Sequence, residues 1–429
     1  MTRCTSGIAA PCHVGYISGV ISAMDSAAAA ADARLDLLPG GYSRSTSYVG
    51  APAPRLVRGT GYFVYDKLGN ELIDLNYDYT VLVHGNAHPE IRAAAVAAIA
   101  DGTCFGLPTM SELDHAEALI GRIPWAEQVR YTNSGTEAVM AAVRIARGST
   151  GRNKIVMLRP AYHGTADAVL PAAGPNAERG IPRGVLNELL FVSHNDLDAL
   201  RAALRTGDIA AVLLDLMPAL GGCIPLDAEF VAGVESATAD AGAMLIVDEI
   251  ISYRLAVSGF AYAHFGLVPD LLVVGKTIGG GFPVGAVLGR AETMAILDPS
   301  KPDSIYHGGT FSANPVTMRA GRVSLDMLDD SAIARLNELG DYARDRFSTA
   351  SGRDWRISGV GSVIRIDPTG NFEHPRELET AKHALFWAGY RNGLLLSDSG
   401  TLCLSTPMDR SVVDEAAERL GAAVAGLAA

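Results

Sequence analysis

Cysteine is scarce in this chain, with five residues among 429 and no Cys-x-x-Cys pair. An odd, scattered set of this kind argues against a disulfide framework and a structural zinc site, and it suits a reducing cytoplasm. Long apolar runs are also missing, since none approaches the roughly 18 residues that span a bilayer. The sequence therefore predicts a cytoplasmic protein that does not cross a membrane.

Positive charge is in short supply as well. Lys and Arg number 35 against 47 Asp and Glu, and the resulting net charge of −12 argues against nucleic-acid binding. The chain has no Gly-x-Gly-x-x-Gly turn after its first clear strand and no Walker lysine, which disfavours a nucleotide-binding protein. With 48% hydrophobic residues the chain should fold around a large core, and its expected partners are small molecules or proteins.

What the chain does contain is an alternation of apolar runs, glycine or polar turns, and helical patterns from about Trp125 to Leu288. The candidate strands are residues 128–131, 154–157, 189–192, 209–214, 244–247, 271–274 and 285–288, with helices such as 137–147, 197–204 and 228–240 between them. Alternation of this kind predicts an α/β protein with a mostly parallel, doubly wound sheet. Upstream, residues 59–75 predict a hairpin and residues 89–100 a helix.

Two of the apolar runs end in an ionisable group. Residues 244–247 lead into Asp248, and residues 271–275 lead into Lys276. A charge at the end of a buried strand is costly unless something pairs with it, and ligands of open α/β sheets sit at the carboxyl ends of strands. Pyridoxal phosphate requires such a pair, because a lysine holds it as a Schiff base and an acid keeps its pyridine nitrogen protonated. The alternatives are a helix cap or salt bridge for Asp248 and a plain loop position for Lys276.

Ser134, Gly135 and Thr136 follow a predicted strand and open a helix. Gly135 lets the backbone approach a ligand, and the two hydroxyls together with the free amides of the first helical turn would hold a phosphate. The same segment also fits an ordinary helix cap, because Glu137 follows Ser134 by three residues. The presence of Asp248 and Lys276 favours the phosphate interpretation.

Further segments offer candidate ligand contacts. The ring of Tyr162, after a strand, could stack on a planar cofactor or pack as a core tyrosine, and His163 would support the site rather than act as a base. Thr310, in a loop of small residues, could reach a phosphate or stand in a bare turn. His84 and His88 have a metal-binding spacing for a helix, but glycine, asparagine and proline nearby break the helix, so no metal site is predicted.

In this order the motifs resemble the class III aminotransferase family of fold-type I pyridoxal phosphate enzymes, and within it the glutamate-1-semialdehyde aminomutase branch. The similarity runs from about Pro39 to the C-terminus, and its most specific segments are residues 133–138, 162–164, 248–249, 275–281 and 309–315. The resemblance implies a large cofactor-binding domain over residues 81–320 and a small domain from residues 36–80 and 321–429. It also implies a homodimer, and residues 1–35 are expected to form a flexible tail.

The resemblance further implies a role for each candidate residue. Cofactor contacts are expected from Ser134, Gly135, Thr136, Tyr162, His163, Asp248, Ile250 and Lys276, and from Thr310 of the neighbouring subunit. Lys276 would hold the cofactor and then move protons, Asp248 would pair with the ring nitrogen, and Tyr162 and Ile250 would lie on the two faces of the ring. Arg44 would bind the substrate carboxylate through its forked guanidinium.

Departures from the branch bear on the reaction. Asp215 stands, with altered spacing, where the branch usually has a glutamate, and the stretch after His163 is shorter than the aminomutase gating loop. Residues 397–400 lack an arginine found in some amino-acid transaminases of the branch, and Asp398 there would repel a second carboxylate. We therefore predict an aminotransferase that moves an amino group from an amino acid to a carbonyl acceptor through pyridoxamine phosphate. A glutamate-1-semialdehyde-type 2,1-aminomutase and a catalytically inactive cofactor-binding scaffold remain alternatives.

Overall fold

The structure, a computed structural model, describes residues 33–372 and 374–428, so the predicted tail lies almost entirely outside the described residues. The strands are β1 Leu56–Thr60, β2 Phe63–Asp66, β3 Glu71–Asp74, β4 Gln128–Thr132, β5 Lys154–Leu158, β6 Leu189–Val192, β7 Ile209–Leu214, β8 Met244–Asp248, β9 Leu271–Gly275, β10 Gly285–Gly289, β11 Trp355–Val360, β12 Val363–Pro368, β13 Leu394–Leu395 and β14 Thr401–Cys403. The helices are α1 Pro89–Asp101, α2 Met110–Ile120, α3 Gly135–Thr150, α4 Arg183–Leu186, α5 Leu197–Leu204, α6 Ala228–Asp240, α7 Phe260–Phe265, α8 Ala291–Met294, α9 Pro315–Met327, α10 Asp330–Ser351, α11 Pro375–Arg391 and α12 Arg410–Ala428. Within the described ranges, no helix has the length and apolar character needed to cross a bilayer.

Seven strands form the central sheet, in the order β4-β10-β9-β8-β7-β5-β6. Strand β10 is antiparallel to both of its neighbours, and all the other pairs are parallel. The predicted α/β class with a mostly parallel, doubly wound sheet is therefore confirmed. Each strand predicted between residues 128 and 288 is present and ends at its predicted residue or one residue later.

The central sheet is buried on both faces because side chains alternate along each strand. In β8, Leu245 and Val247 enter the core on one face, whereas Met244 and Ile246 enter the core on the other. Helix α6 contributes to the first core and α3 to the second. Burial on both faces requires nearly continuous apolar runs, and this is why these strands are visible in the sequence.

The beginning and end of the described chain pack together beside this sheet. Strands β1, β2 and β3 are antiparallel, and β13 joins them in parallel beside β3. Strands β11, β12 and β14 form a separate three-stranded sheet. Ile73 shares one core with Leu336 of α10, Leu385 of α11 and Leu420 of α12. The N-terminal hairpin thus depends on C-terminal helices for its burial, while the exact domain boundaries stay a prediction.

Between β3 and α1 the chain makes a left-handed turn. All four residues of Tyr77–Thr80 have positive φ angles, between 47° and 77°, and this conformation costs roughly 1–2 kcal/mol for each residue that is not glycine. Two buried side chains hold the turn: Asp74 accepts the Tyr77 amide at 2.8 Å, and Arg254 donates to the Thr80 carbonyl at 3.2 Å. Backbone strain persists where surrounding structure enforces it, and it concentrates at functional sites.

Candidate active site

The carboxyl edge of the central sheet brings the predicted lysine and acid together. Strands β8 and β9 are parallel neighbours, with Asp248 opposite Val273, so that Asp248 and Lys276 leave the sheet at the same edge. The amine of Lys276 donates to the Thr80 hydroxyl at 3.4 Å. Burial lowers the pKa of Lys276 to about 8 against the opposing effect of nearby Asp248. A neutral amine, which an imine-forming nucleophile needs, is therefore accessible near neutral pH.

Asp248 is fixed by two hydrogen bonds, and His163 makes one of them. Nδ1 of His163 lies 2.8 Å from Oδ2 of Asp248, and the Ile250 amide donates to Oδ1 at 3.0 Å. Because a carboxylate only accepts hydrogen bonds, the proton of this pair is assigned to Nδ1 of His163. The Nε2 atom of His163 is buried and has no hydrogen-bond partner among the described residues. A buried polar atom of this kind calls for a partner such as a water molecule or a ligand.

A second acid, Asp215, belongs to the same buried cluster. It follows β7, the strand beside β8, and accepts the Met217 amide at 2.9 Å. Burial raises the pKa of Asp215 to about 7, Asp248 adds to the rise, and His163 and Lys276 oppose it. From the sequence alone, Asp215 is only a departure from a family motif and not a predicted site residue. Its position directly after an apolar run, the signal that marked Asp248, would have found it.

Helix α3 begins at the predicted phosphate-binding segment. The Ser134 hydroxyl accepts the Glu137 amide at 3.2 Å, and the Glu137 carboxylate accepts the Asn133 amide at 2.6 Å. Ser134 is therefore a helix cap, but capping uses its oxygen as an acceptor and leaves the hydroxyl proton available to a phosphate. Gly135 and Thr136 lie in the first helical turn, where amides lack helical partners and the helix dipole favours an anion. Both sequence interpretations can thus hold for the same residues.

Two glycines let neighbouring segments close around this helix end. A Cβ at Gly135 would lie 2.4 Å from Cδ1 of Ile250, and a Cβ at Gly164, whose φ is +101°, would lie 2.5 Å from Oγ1 of Thr136. Ile250 therefore packs directly against the candidate phosphate segment. Tyr162 keeps 47% of its surface exposed, so it is not the core tyrosine of the alternative interpretation. Its ring is available to a ligand.

Thr310 lies on the loop before α9 and is exposed. The neighbouring Gly309 is close to the start of α3, since a Cβ built there would lie 3.4 Å from Nδ2 of Asn133. The loop thus runs beside the candidate phosphate segment of its own chain, with Thr310 accessible from outside. The expected contact of Thr310 with a neighbouring subunit stays a prediction.

Arg44 contacts the left-handed turn rather than standing free. Its Nη2 lies 2.6 Å from Oδ1 of Asp78, and its guanidinium carbon lies 5.5 Å from the centre of the Tyr79 ring. The Tyr79 hydroxyl in turn donates to Oδ1 of Asp398 at 2.8 Å. The candidate carboxylate anchor is therefore surrounded by an aromatic ring and two acids in the described structure.

Thr80, the last residue of the turn, contacts the lysine, because its hydroxyl accepts a hydrogen bond from the Lys276 amine. One turn thereby joins the candidate substrate anchor to the candidate catalytic lysine. The sequence analysis missed Asp78, Tyr79 and Thr80. A left-handed turn is usually signalled by glycine or asparagine, and the segment from 77 to 80 contains neither.

The arrangement fits the group that the sequence analysis predicted. A lysine with a lowered pKa and a buried carboxylate share one sheet edge, a helix N-terminus provides an anion site beside them, and an exposed aromatic ring and an unpartnered imidazole nitrogen border the same place. A metal centre has no comparable support, because the described part of the chain holds no group of three or more His, Cys, Asp or Glu side chains that could hold a metal ion. His84 instead lies 2.9 Å from the Ser324 carbonyl through Nε2.

The chain matches the Aminotransferase class-III family over residues 48–422 and therefore belongs to that family. It is 35% identical over 401 residues to the glutamate-1-semialdehyde 2,1-aminomutase of Methanothrix thermoacetophila, covering 89% of this chain and 92% of the relative. A solved transaminase with pyridoxal phosphate bound shares 37% identity, with a TM-score of 0.89 and coverage of 94% and 98%. A β-phenylalanine aminotransferase from Variovorax paradoxus shares 29% identity, with a TM-score of 0.87 and coverage of 97% and 98%. The predicted family and its fold are confirmed.

Proposed function

We propose that this protein is an aminotransferase that moves an amino group between an amino acid donor and a carbonyl acceptor. Pyridoxal phosphate is its cofactor, and when bound it supplies a carbonyl for the amino group and a ring that withdraws electrons. The observation that carries the proposal is the placement of Lys276 and Asp248 at one edge of the sheet, each delivered by its own strand. Retention of both residues also argues against an inactive scaffold.

Each site residue then has a defined task. Lys276 would hold the cofactor covalently and move protons at the substrate carbon, while Asp248, oriented by His163, would stabilise a proton on the ring nitrogen. The remaining contacts come from Ser134, Gly135 and Thr136 at the phosphate, Tyr162 and Ile250 at the ring, and Thr310 of a neighbouring subunit. Arg44 anchors the substrate carboxylate, because its fork matches that group. An α- or a β-amino acid satisfies this arrangement, and the similarity to a β-phenylalanine aminotransferase favours including β-amino acids among the substrates tested.

A 2,1-aminomutase is the second candidate, and the similarity to the aminomutase of Methanothrix thermoacetophila favours it. The segment after His163 bears on the choice. It forms two short 3₁₀ turns, Leu170–Ala173 and Pro175–Glu178, and Ala172 is buried. A mutase must keep its half-converted substrate enclosed, and a short packed segment offers little chain for a closing cover. The short segment therefore supports transamination over the aminomutase reaction.

An absorbance spectrum tests the proposed function. The purified protein with its cofactor should show a band at roughly 410–430 nm, which one member of a panel of amino donors should shift to the ultraviolet without any acceptor. Adding a keto acid should restore the band. A product isomeric with its substrate, formed without an acceptor, would identify an aminomutase instead. A protein that stays colourless after incubation with pyridoxal phosphate would contradict both candidates.

The active unit is inferred to be a homodimer, since large apolar side chains stay exposed beyond α1. Leu107 is 81% exposed and Met110 is 69% exposed, and exposed apolar patches mark interaction surfaces. Sedimentation of the native protein should give twice the chain mass, and Leu107→Glu combined with Met110→Glu should shift it toward a monomer. Leu37→Glu is the control, because Leu37 is equally exposed at 78% but precedes the hairpin. A fully active native monomer would contradict the dimer.

A further inference from the structure

We propose that Asp78 sets the substrate specificity of this site by occupying Arg44 until a substrate carboxylate displaces it, so that the enzyme accepts amino acids with one carboxylate and rejects dicarboxylates. The inference rests on the proposed function, in which Arg44 is the carboxylate anchor. It adds a competing residue of the chain itself and a charge limit on the substrate.

The guanidinium of Arg44 is already engaged. Nη2 donates to Asp78 at 2.6 Å, and Nε donates to the Ser47 hydroxyl at 3.3 Å. A carboxylate that binds an arginine side by side needs two of its nitrogens at once. A substrate carboxylate must therefore share Nη2 with Asp78 or remove Asp78 from it.

Displacing the Asp78 side chain from Arg44 costs little free energy, but the displaced side chain stays close to Arg44. The side chains of Arg44 and Asp78 are 56% and 49% exposed, and exposed ion pairs contribute little because water competes for both charges. The backbone of the turn is held independently, since Asn76 accepts the Tyr79 amide at 2.7 Å and Asp74 accepts the Tyr77 amide. The Asp78 side chain can therefore leave Arg44 without disturbing the backbone of the turn, and it acts as an intramolecular competitor at a fixed effective concentration.

The charges around Arg44 limit what can bind beside it. Desolvation lowers the pKa of Arg44, but Asp78, Tyr79 and Asp398 outweigh it, so that the pKa is raised overall. One cation is thus balanced by two acids. A first substrate carboxylate can replace Asp78, whereas a second would meet Asp398 and the displaced Asp78.

The cations near Asp398 do not relieve this limit. Lys382 and Arg365 both pair with Asp367, at 3.1 Å and 2.9 Å. Burial lowers the pKa of His383, which disfavours its charged form. Lys382 and Arg365 are thus already engaged with Asp367, and His383 is not favoured as a third cation for a second carboxylate.

Asp78→Asn tests the competition. Asparagine keeps the size and tolerates the left-handed backbone, but it removes the charge. The variant should lower the KM of a single-carboxylate donor and the Kd of butanoate, measured by calorimetry, by about two- to fivefold, the factor that an exposed ion pair represents. An amine donor without a carboxylate, such as phenylethylamine, should keep its native KM. In an Arg44→Ala background, the KM of carboxylate donors is raised, and adding Asp78→Asn should leave that KM unchanged.

Asp414→Asn is the matched control, since Asp414 forms a 2.6 Å ion pair with Arg346 at similar exposure but lies on α12. It should leave the Kd of butanoate unchanged. The charge limit is tested with glutamate and 2-aminopentanoate, which share a chain length. The kcat/KM of the native enzyme should be at least about tenfold higher for 2-aminopentanoate than for glutamate, because of one unfavourable charge contact. Asp398→Asn should reduce this ratio.

Three results separate the possible failures. Equal use of glutamate and 2-aminopentanoate by the native enzyme would overturn the charge limit. An unchanged Kd of butanoate in Asp78→Asn would overturn the competition, even if donors shift the cofactor band normally. Absence of any donor-induced shift in the native protein would instead count against the proposed function, while the butanoate measurement would still decide the role of Asp78.

Discussion

Lys276→Ala is expected to abolish turnover, lowering kcat by at least about 10⁴-fold, the upper end of what one general base contributes. The variant loses two functions at once, because Lys276 is both the covalent attachment point and the base that moves protons. The fold should survive. The amine lies in a place where burial lowers its pKa to about 8, so a charged lysine is not favoured there and its removal costs little.

The pH dependence of cofactor capture gives this prediction a second measurement. Only the neutral amine attacks a carbonyl, and its fraction rises as pH approaches the pKa. With a pKa of about 8 for Lys276, the capture rate of the cofactor-free protein should rise with pH up to about 8 and level off above it. An ordinary lysine would keep gaining rate up to about pH 10.4.

Borohydride reduction followed by peptide mass analysis locates the attachment directly. The cofactor should be trapped on the peptide that contains Lys276, and Lys276→Ala should trap none. Lys301→Ala is the control, since Lys301 is an exposed lysine that follows α8, and it should trap the cofactor and turn over normally. Full activity of Lys276→Ala, or trapping on another lysine, would remove Lys276 from the centre of the site.

The parts of this fold that could be predicted from the sequence are those that local physics decides. A strand buried on both faces needs an uninterrupted apolar run, so β7, β8 and β9 can be recognised in the sequence without knowledge of the strands that pair with them. An ionisable residue that follows such a run is equally visible, and this is how Asp248 and Lys276 were found. Asp215 follows β7 in the same manner, so the same criterion indicates it, although the family motif marks this position only as a substitution.

The substrate end of the site could not be predicted in the same way. Arg44 and Asp78 lie 34 positions apart, and Tyr79 and Asp398 lie 319 positions apart. Their contacts exist because the turn from 77 to 80 is forced into a left-handed conformation by buried groups from elsewhere, above all Arg254. Aspartate tolerates that conformation, but the local preferences of tyrosine and threonine do not indicate it. Specificity therefore depends on tertiary contacts, whereas the catalytic pair depends on strand ends.

Asp248→Asn is expected to lower kcat by about 10²- to 10⁴-fold, the range for losing one preorganised electrostatic or acid–base group. The cofactor ring withdraws electrons effectively only while its nitrogen is protonated, and a carboxylate stabilises that proton through its charge. The amide of asparagine has the same shape but no charge. The loss should appear in kcat for every donor, and the cofactor should still be trapped on Lys276.

A fold defect would imitate this loss, and Asp270→Ala separates the two explanations. In Asp248→Asn, either the Ile250 amide or His163 loses its acceptor, which should cost about 1–3 kcal/mol. Asp270 accepts the Leu245 amide at 2.7 Å at the opposite end of β8 and β9, so Asp270→Ala loses a comparable bond far from the site. Both variants should therefore melt a few degrees below the native protein, but only Asp248→Asn should lose turnover. The proposed chemistry requires the charge of Asp248 and not its hydrogen bond. Equal kcat values in the two variants would therefore mean that Asp248 only holds the sheet edge together.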